Sequence, residues 1–387
     1  MNNADKRKPD GSETRRLRIA LLPAGFDPRL SYQENNFAQG LHDMGHEVTV
    51  FTTSHPGGDA DGRLAALDAA LPYHVVRSSR VLRIRHTQIP WDWTMRRRIR
   101  EFDPQAAFIL APNHGTGCHW MKLLPPGCRK IVGFSDLPWH RGRLSAWLKR
   151  RWARRAIRMA DKVVTATGDT RRLVQEWVGP EDAGRVEQIG LSFLPAALEG
   201  GETPPAVTAL AGRVRHLIAS ITRVSPGKRL DAVFTAIERY LSAHADAGFV
   251  MGGFDDGAES KRLRAIIAAS PVADRCLLLP LLTPGEVGAV FRVAVCSVWS
   301  TVSIGIYHSL HCGCRVLVRE GQDAKHLLAH REAGGWFADH SQLTEALERL
   351  LVESADRAAV TAVVAPFHAK KMLARLLEEA MTKVQTS

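Results

Sequence analysis

The chain has 387 residues, 45% of them apolar and 24% charged, and a formal net charge of +12. That is the composition of a globular protein with room for about two domains. No apolar run reaches the roughly 18 residues that would mark a membrane span, and the polar opening MNNADKRKPDGSETRR has no apolar core, which excludes a secretory signal.

Residues 1–16 read as a disordered tail. The charge is uneven: residues 1–200 carry 31 Lys and Arg against 21 Asp and Glu, and residues 201–387 carry 21 against 19. A basic half points to an anionic partner, which is a membrane surface, a nucleic acid or a charged substrate. The six cysteines are scattered, and Cys312 and Cys314 are too close for a C-x-x-C motif. Structural thiols in a reducing, cytoplasmic setting follow.

A buried strand is expected over 17–22, a loop with Gly25 and Pro28 over 23–31, and a helix over 32–44. Gly45 stops that helix, and a second strand runs to 53. The first loop is not G-x-G-x-x-G, which disfavours a dinucleotide site. A short helix near 63–70 and strands near 74–77 and 81–84 lead to a basic helix over 94–102. Then come a strand over 106–111, the loop PNHGTG over 112–117, and a strand over 130–134 with the loop SDLPWHRG. A long helix over 143–160, a strand over 162–166, a helix over 170–178 and a strand over 186–189 follow. Residues 196–212 hold two prolines and a Gly-Gly pair, the mark of a linker. Alternation then restarts, with strands at 215–221, 248–252, 276–279, 293–298 and 315–318. The fold class is therefore α/β: two doubly wound, Rossmann-like domains over 17–195 and 213–365, facing across a cleft. A terminal helix over 366–387 can pack back on the first domain.

The stretch LIASITRVSPGKRLDAVFTAI (217–237) carries the clearest chemistry. Lys228 opens a helix expected over 228–244, and Arg223 and Lys228 lie in the turn between a strand's carboxyl end and that helix, where open α/β sheets bind ligands. Two cations beside helix N–H groups make an anion site, most simply for a diphosphate. The plain alternative is two solvated surface cations.

Several fragments, in this order, resemble retaining GT-B glycosyltransferases of family 4, or group 1, that use nucleotide-sugar donors. GHEVTVFTT sits near the start. MADKVVTATGDTRRLV (159–174) looks like "ADxVixxS". TRVSPGKRLD (222–231) looks like "GRLxxxKGxD", and FVMGG (249–253) like "xxGxG". LHCGCRVLV (310–318) looks like "MACGCPVV", and AGGWF (333–337) like "xNGxL". By this resemblance the fold is GT-B, Arg223 and Lys228 grip the donor diphosphate, and Gly253 with the 300–308 loop completes the donor side. The family carries two glutamates with seven residues between them, for the donor sugar and the ribose. This chain has Ser300 and His308 there, which can hydrogen-bond but offer no carboxylate. Ser303, Ile304 and Gly305 open a helix whose backbone N–H groups can still meet phosphate.

On the acceptor side the candidates are Gly25, Tyr32 and Glu34, then His114 as a contact to the transferred sugar, and Asp136. Each also has a bland reading as an ordinary loop or helix-start residue. The region 141–160 holds eight Lys and Arg, no acid, and Trp147 and Trp152. It is either a core-packing helix with solvated arginines or a basic face that rests on anionic lipid at the inner membrane face. No cofactor or metal is expected, since no His/Asp cluster with metal-ligand spacing occurs. No nucleic-acid motif appears either. The expected activity is retaining sugar transfer to a glycan or lipid-linked acceptor, in glycan, polysaccharide or glycolipid synthesis. The rivals are a non-catalytic relative or scaffold, and a nucleotide-sugar epimerase on the same fold.

Overall fold

A computed structural model describes residues 16–23, 25–29, 32–53, 63–78, 81–84, 87–90, 93–110, 112, 115–134 and 143–382. Its strands, in chain order, begin with β1 (Arg18–Leu22), β2 (Glu47–Thr53) and β3 (His74–Ser78). A short antiparallel hairpin, β4 (Val81–Ile84) and β5 (Thr87–Pro90), comes next. Then follow β6 (Ala106–Leu110), β7 (Arg129–Phe134), β8 (Lys162–Thr165) and β9 (Val186–Gln188). The second half contributes β10 (His216–Ile221), β11 (Ala247–Phe254), β12 (Cys276–Pro280), β13 (Cys296–Trp299), β14 (Arg315–Arg319) and β15 (Gly334–Phe337). Two parallel sheets result, one ordered β3-β2-β1-β6-β7-β8-β9 and the other β12-β11-β10-β13-β14-β15.

Runs such as AAFIL in β6 are buried from end to end, as parallel strands covered on both faces must be. Side chains alternate across each strand. Ile19, Leu21, Val50 and Phe108 therefore face the helices Gln33–Asp43 and Ala369–Thr382. Ala20, Leu22, Phe51, Ile109 and Phe134 face a second helix layer through Met95, Ile99, Trp120, Ala156, Ile157 and Trp177. The second sheet is likewise held between two cores, one against Leu230–Ala243 and Leu343–Val352, the other against Pro284–Val293 and Ile304–His311.

Pro205 of the expected linker and Pro195 just before it open helices, and Pro204 is the N-cap of the Pro205 helix. Pro195 and Pro205 start Pro195–Leu198 and Pro205–Ala211, because a missing N–H costs nothing in a first helical turn. Leu198, Val207 and Leu210 are buried in the second domain's core, so most of 196–212 is part of that domain's packing. The chain crosses between the domains twice, side by side: Phe193 N–H donates to Phe367 O at 3.3 Å and Ala369 N–H to Phe193 O at 2.8 Å. After the second crossing the helix Ala369–Thr382 buries Met372, Leu373 and Leu376 against the first sheet. Gly40 admits this helix closely, since a Cβ there would lie 2.9 Å from Leu373 Cδ1.

Candidate functional site

The carboxyl ends of β10 and β13 bring the best-placed cations to a helix N-terminus. After β10 the backbone runs through Arg223 into a 3-10 turn, Pro226–Lys228. Arg229 then takes the left-handed conformation (φ 50°), and the helix begins at Leu230, two residues later than the sequence suggests. Lys228 is half-buried, and its Nζ donates to Thr301 Oγ1 at 2.9 Å, tying the β10 loop to the β13 loop. Arg223 is exposed. Asp255 nearby is held below the usual carboxylate range by the Ser260 hydroxyl first, then the Gly257 amide, and to a smaller degree by Arg223.

Gly253 shapes this loop. Its φ is +99°, and a Cβ there would fall 2.2 Å from Thr222 O, against backbone that cannot yield cheaply. Val224 N–H donates to Gly253 O at 3.1 Å, which fixes the stretch carrying Arg223. Gly253→Ala combines a disfavoured φ with a backbone clash, each worth about 1–3 kcal/mol. It is expected to cost at least about 2 kcal/mol, read as a lower urea midpoint at unchanged m. A midpoint equal to the parent's would show that this backbone can relax.

After β13, Ser300 is 5% exposed. Its Oγ lies 2.9 Å from His340 Nε2, and burial, then Arg319 and Arg229, hold that imidazole below its ordinary pKa. Val302 N–H donates to Gln322 Oε1 at 3.2 Å. Ser303 caps Ile304–His311 by accepting from Gly305 N–H at 3.3 Å. Gly305 is required by Trp299, whose ring would lie 2.3 Å from a Cβ. Ile304 is half-buried on the first turn. A helix N-terminus beside Lys228 attracts negative charge through both its dipole and its unsatisfied N–H groups.

His308 does not join this group as a polar contact. It is buried beside Phe193, with ring centroids 6.0 Å apart, and its Nε2 has no partner. Burial, and next His311, push its pKa down to about 3.

On the first domain's edge, Gly25 is exposed with open space around it, and Tyr32 is 38% exposed. Tyr32 stands at the N-cap of Gln33–Asp43 and makes no side-chain cap. Burial raises the Glu34 carboxyl to about 7, where a group can both take and give a proton at neutral pH. Gln33 Oε1 and Asn35 Oδ1 beside it are buried without partners. His114 and Asp136 lie outside the described residues.

The sequence reading missed His340, Asn35 and the contact of Lys228 with Thr301. The polar string QENN at a helix start on a strand's carboxyl edge is the one local signal among them. It also missed a contact between the domains. Asp323 Oδ2 accepts from Asp169 N–H at 2.7 Å, at the N-terminus of the helix Gly168–Val178. A cavity of about 420 Å³ opens there, with Arg171, Arg172, Gln175, Gln322 and Lys325 among its lining residues.

Comparison with known proteins agrees with this architecture. Residues 34–191 match the glycosyl transferase 4-like domain family. No curated protein matches the chain. Among solved structures, sucrose-phosphate synthase from Thermosynechococcus elongatus superposes with a TM-score of 0.69 at 13% identity, over 95% of this chain and 99% of that one. Anabaena HepE in complex with UDP and glucose gives 0.68 at 13% identity, over 95% and 100%. A putative UDP-N-acetylglucosamine 2-epimerase from Listeria monocytogenes gives 0.61 at 13%, over 96% and 98%. The chain thus has the GT-B fold and resembles glycosyltransferases of family 4, or group 1.

Proposed function

We propose that the protein transfers a sugar from a nucleoside-diphosphate sugar to an acceptor hydroxyl, with retention, in the cleft between its domains. The observation that carries this reading is Lys228, held on Thr301 beside the N-terminus of Ile304–His311. As the glycosidic bond breaks, negative charge grows on the leaving diphosphate. A fixed ammonium and backbone N–H groups aimed at that oxygen stabilise the transition state without reorganising. Arg223 adds a second, more exposed cation. The acceptor attacks the face that the diphosphate leaves, and a phosphate oxygen takes its proton. Glu34, with its pKa near 7, is the first-domain group best placed to bind or polarise that hydroxyl. HepE is described with UDP, glucose and UDP-glucose, which supports a nucleotide-sugar donor here. A glycan or lipid-linked acceptor, and a role at the cytoplasmic face in glycan, polysaccharide or glycolipid synthesis, complete the proposal.

Thermal unfolding against UDP-, GDP- and ADP-sugars tests it. A ligand at 100 times its Kd stabilises by about 2.7 kcal/mol, so one nucleotide series is expected to raise Tm by several degrees. No shift with any of them favours the second reading, a non-catalytic relative, whose motivation is the missing glutamate pair. Conversion of a bound donor to its epimer without acceptor would select the epimerase reading, motivated by the Listeria structure.

A further inference from the structure

We infer that the helix layer over one face of the first sheet docks on an anionic lipid bilayer. The helix Arg143–Met159 contains no acidic residue, and Arg150, Arg151, Arg154, Arg155 and Arg158 are all exposed on it. The helix Trp93–Phe102 exposes Arg96, Arg97, Arg98 and Arg100. Met95 and Ile99 of one helix and Ala153, Ala156 and Ile157 of the other pack into the same core. Their outward faces therefore belong to one helix layer, shared with the helix Gly115–Met121, and together carry nine exposed arginines. Among the described residues, the only ion pair these nine make is Arg97 with Glu101, at 3.4 Å and exposed.

Solubility alone would explain arginines, but not the tryptophan among them. Trp147 is 54% exposed, and the Arg151 guanidinium lies 5.6 Å from its ring centre. A groove of about 740 Å³ beside it is lined by these arginines and Met159. Indole partitions to the interface between headgroups and acyl chains, and each nearby cation adds about 1 kcal/mol at an anionic surface. A nucleic acid fits less well. Single strands need a series of stacking rings, and Trp147 is the only Trp or Phe exposed among the described residues.

The topology orients the docked molecule. The helix Arg143–Met159 leaves the carboxyl end of β7 and returns to the start of β8. Trp147, in its second turn, therefore lies toward the carboxyl edge of the sheet, the edge that faces the cleft, and Arg158 lies at the far end. The exposed Arg171 and Arg172, on the next helix of the same layer, continue the basic surface to the cavity between the domains. A bilayer along this face meets the rim of the cleft. Docking stands on the surface itself; its use for a lipid-borne acceptor rests on the transfer reading.

The test is co-sedimentation of the full chain with phosphatidylcholine vesicles, with or without phosphatidylglycerol, in the absence of any donor. Binding is expected only with the anionic lipid, and to weaken as salt rises. The variant R150Q/R151Q/R155Q/R158Q is expected to lose on the order of 10²-fold or more in partitioning. Trp147→Ser, which keeps every charge, is expected to lose roughly tenfold. Equal pelleting with neutral vesicles, or parent-like binding by both variants at parent-like Tm, would overturn the proposal. So would tighter binding to an RNA oligomer than to the anionic vesicles. None of these outcomes depends on sugar transfer, so this proposal and the enzymatic one fail separately.

Discussion

Lys228→Ala is expected to lower kcat by about 10²- to 10³-fold, the loss seen when one preorganised donor to a developing oxyanion is removed, or roughly 3–4 kcal/mol. The geometry explains why the effect should fall on kcat. Lys228 is half-buried and already fixed on Thr301 at 2.9 Å, so its charge is in place before the diphosphate departs. Arg223 is exposed, where salt screens it, and Arg223→Ala is expected to raise KM more than it lowers kcat. Lys228→Arg keeps the charge but replaces a point donor with a planar fork, and should recover only part of the rate. Stability should change less than turnover, because Lys228 lies on a partly solvated loop. Steady-state turnover with the donor found by thermal shift checks this. Parent-like kcat in Lys228→Ala would remove the observation on which the proposed function stands.

The strands were legible because burial on both faces writes itself as short apolar runs. RIALL and AAFIL are strands in the sequence and in the structure. The order of fragments from 159 to 337 carried the GT-B resemblance for a similar reason, since each marks a strand end or a helix start. Proline was ambiguous. Pro195 and Pro205 signal a break, and whether the break is a linker or a first helical turn depends on what packs behind it. The start of the helix after β10 moved from Lys228 to Leu230 because Pro226–Lys228 closes a 3-10 turn first. The site's contacts were hidden because they are non-local. Lys228 meets Thr301 across 73 residues, Ser300 meets His340 across 40, and Asp169 meets Asp323 across 154. No local pattern encodes those pairs. The pKa of Glu34 was hidden too, because it is set by burial that the tertiary fold supplies.

Acidification is expected to destabilise the protein steeply below pH 6.5, starting where the chain crosses between domains. Three histidines surround Phe193 there, with ring centroids 6.0 Å (His308), 5.2 Å (His311) and 5.1 Å (His368) from it. His311 and His368 are 5.5 Å apart. Burial lowers the pKa of all three. His311 also feels Glu199, which raises it, and Arg292, which lowers it, while His368 feels His311 and Lys371, both lowering. His308 falls from 6.5 to about 3. A group with a depressed folded pKa binds its proton more tightly when unfolded. Its contribution is therefore complete above pH 6.5, and it is lost as the pH falls from 6.5 toward 3, at up to about 1.4 kcal/mol per pH unit. His308 alone then removes about 2 kcal/mol by pH 5, a large part of a typical total of about 5–15. The other two act with the same sign. Urea unfolding at pH 7.5, 6 and 5 reads the slope. His308→Leu leaves no unpaired buried nitrogen to protonate, and is expected to reduce that slope by close to one proton. A variant slope equal to the parent's would place the acid sensitivity elsewhere. A flat parent profile would mean that protonated imidazoles are accommodated at the crossing, through water reaching Phe193 or a shift of the two crossing strands of chain.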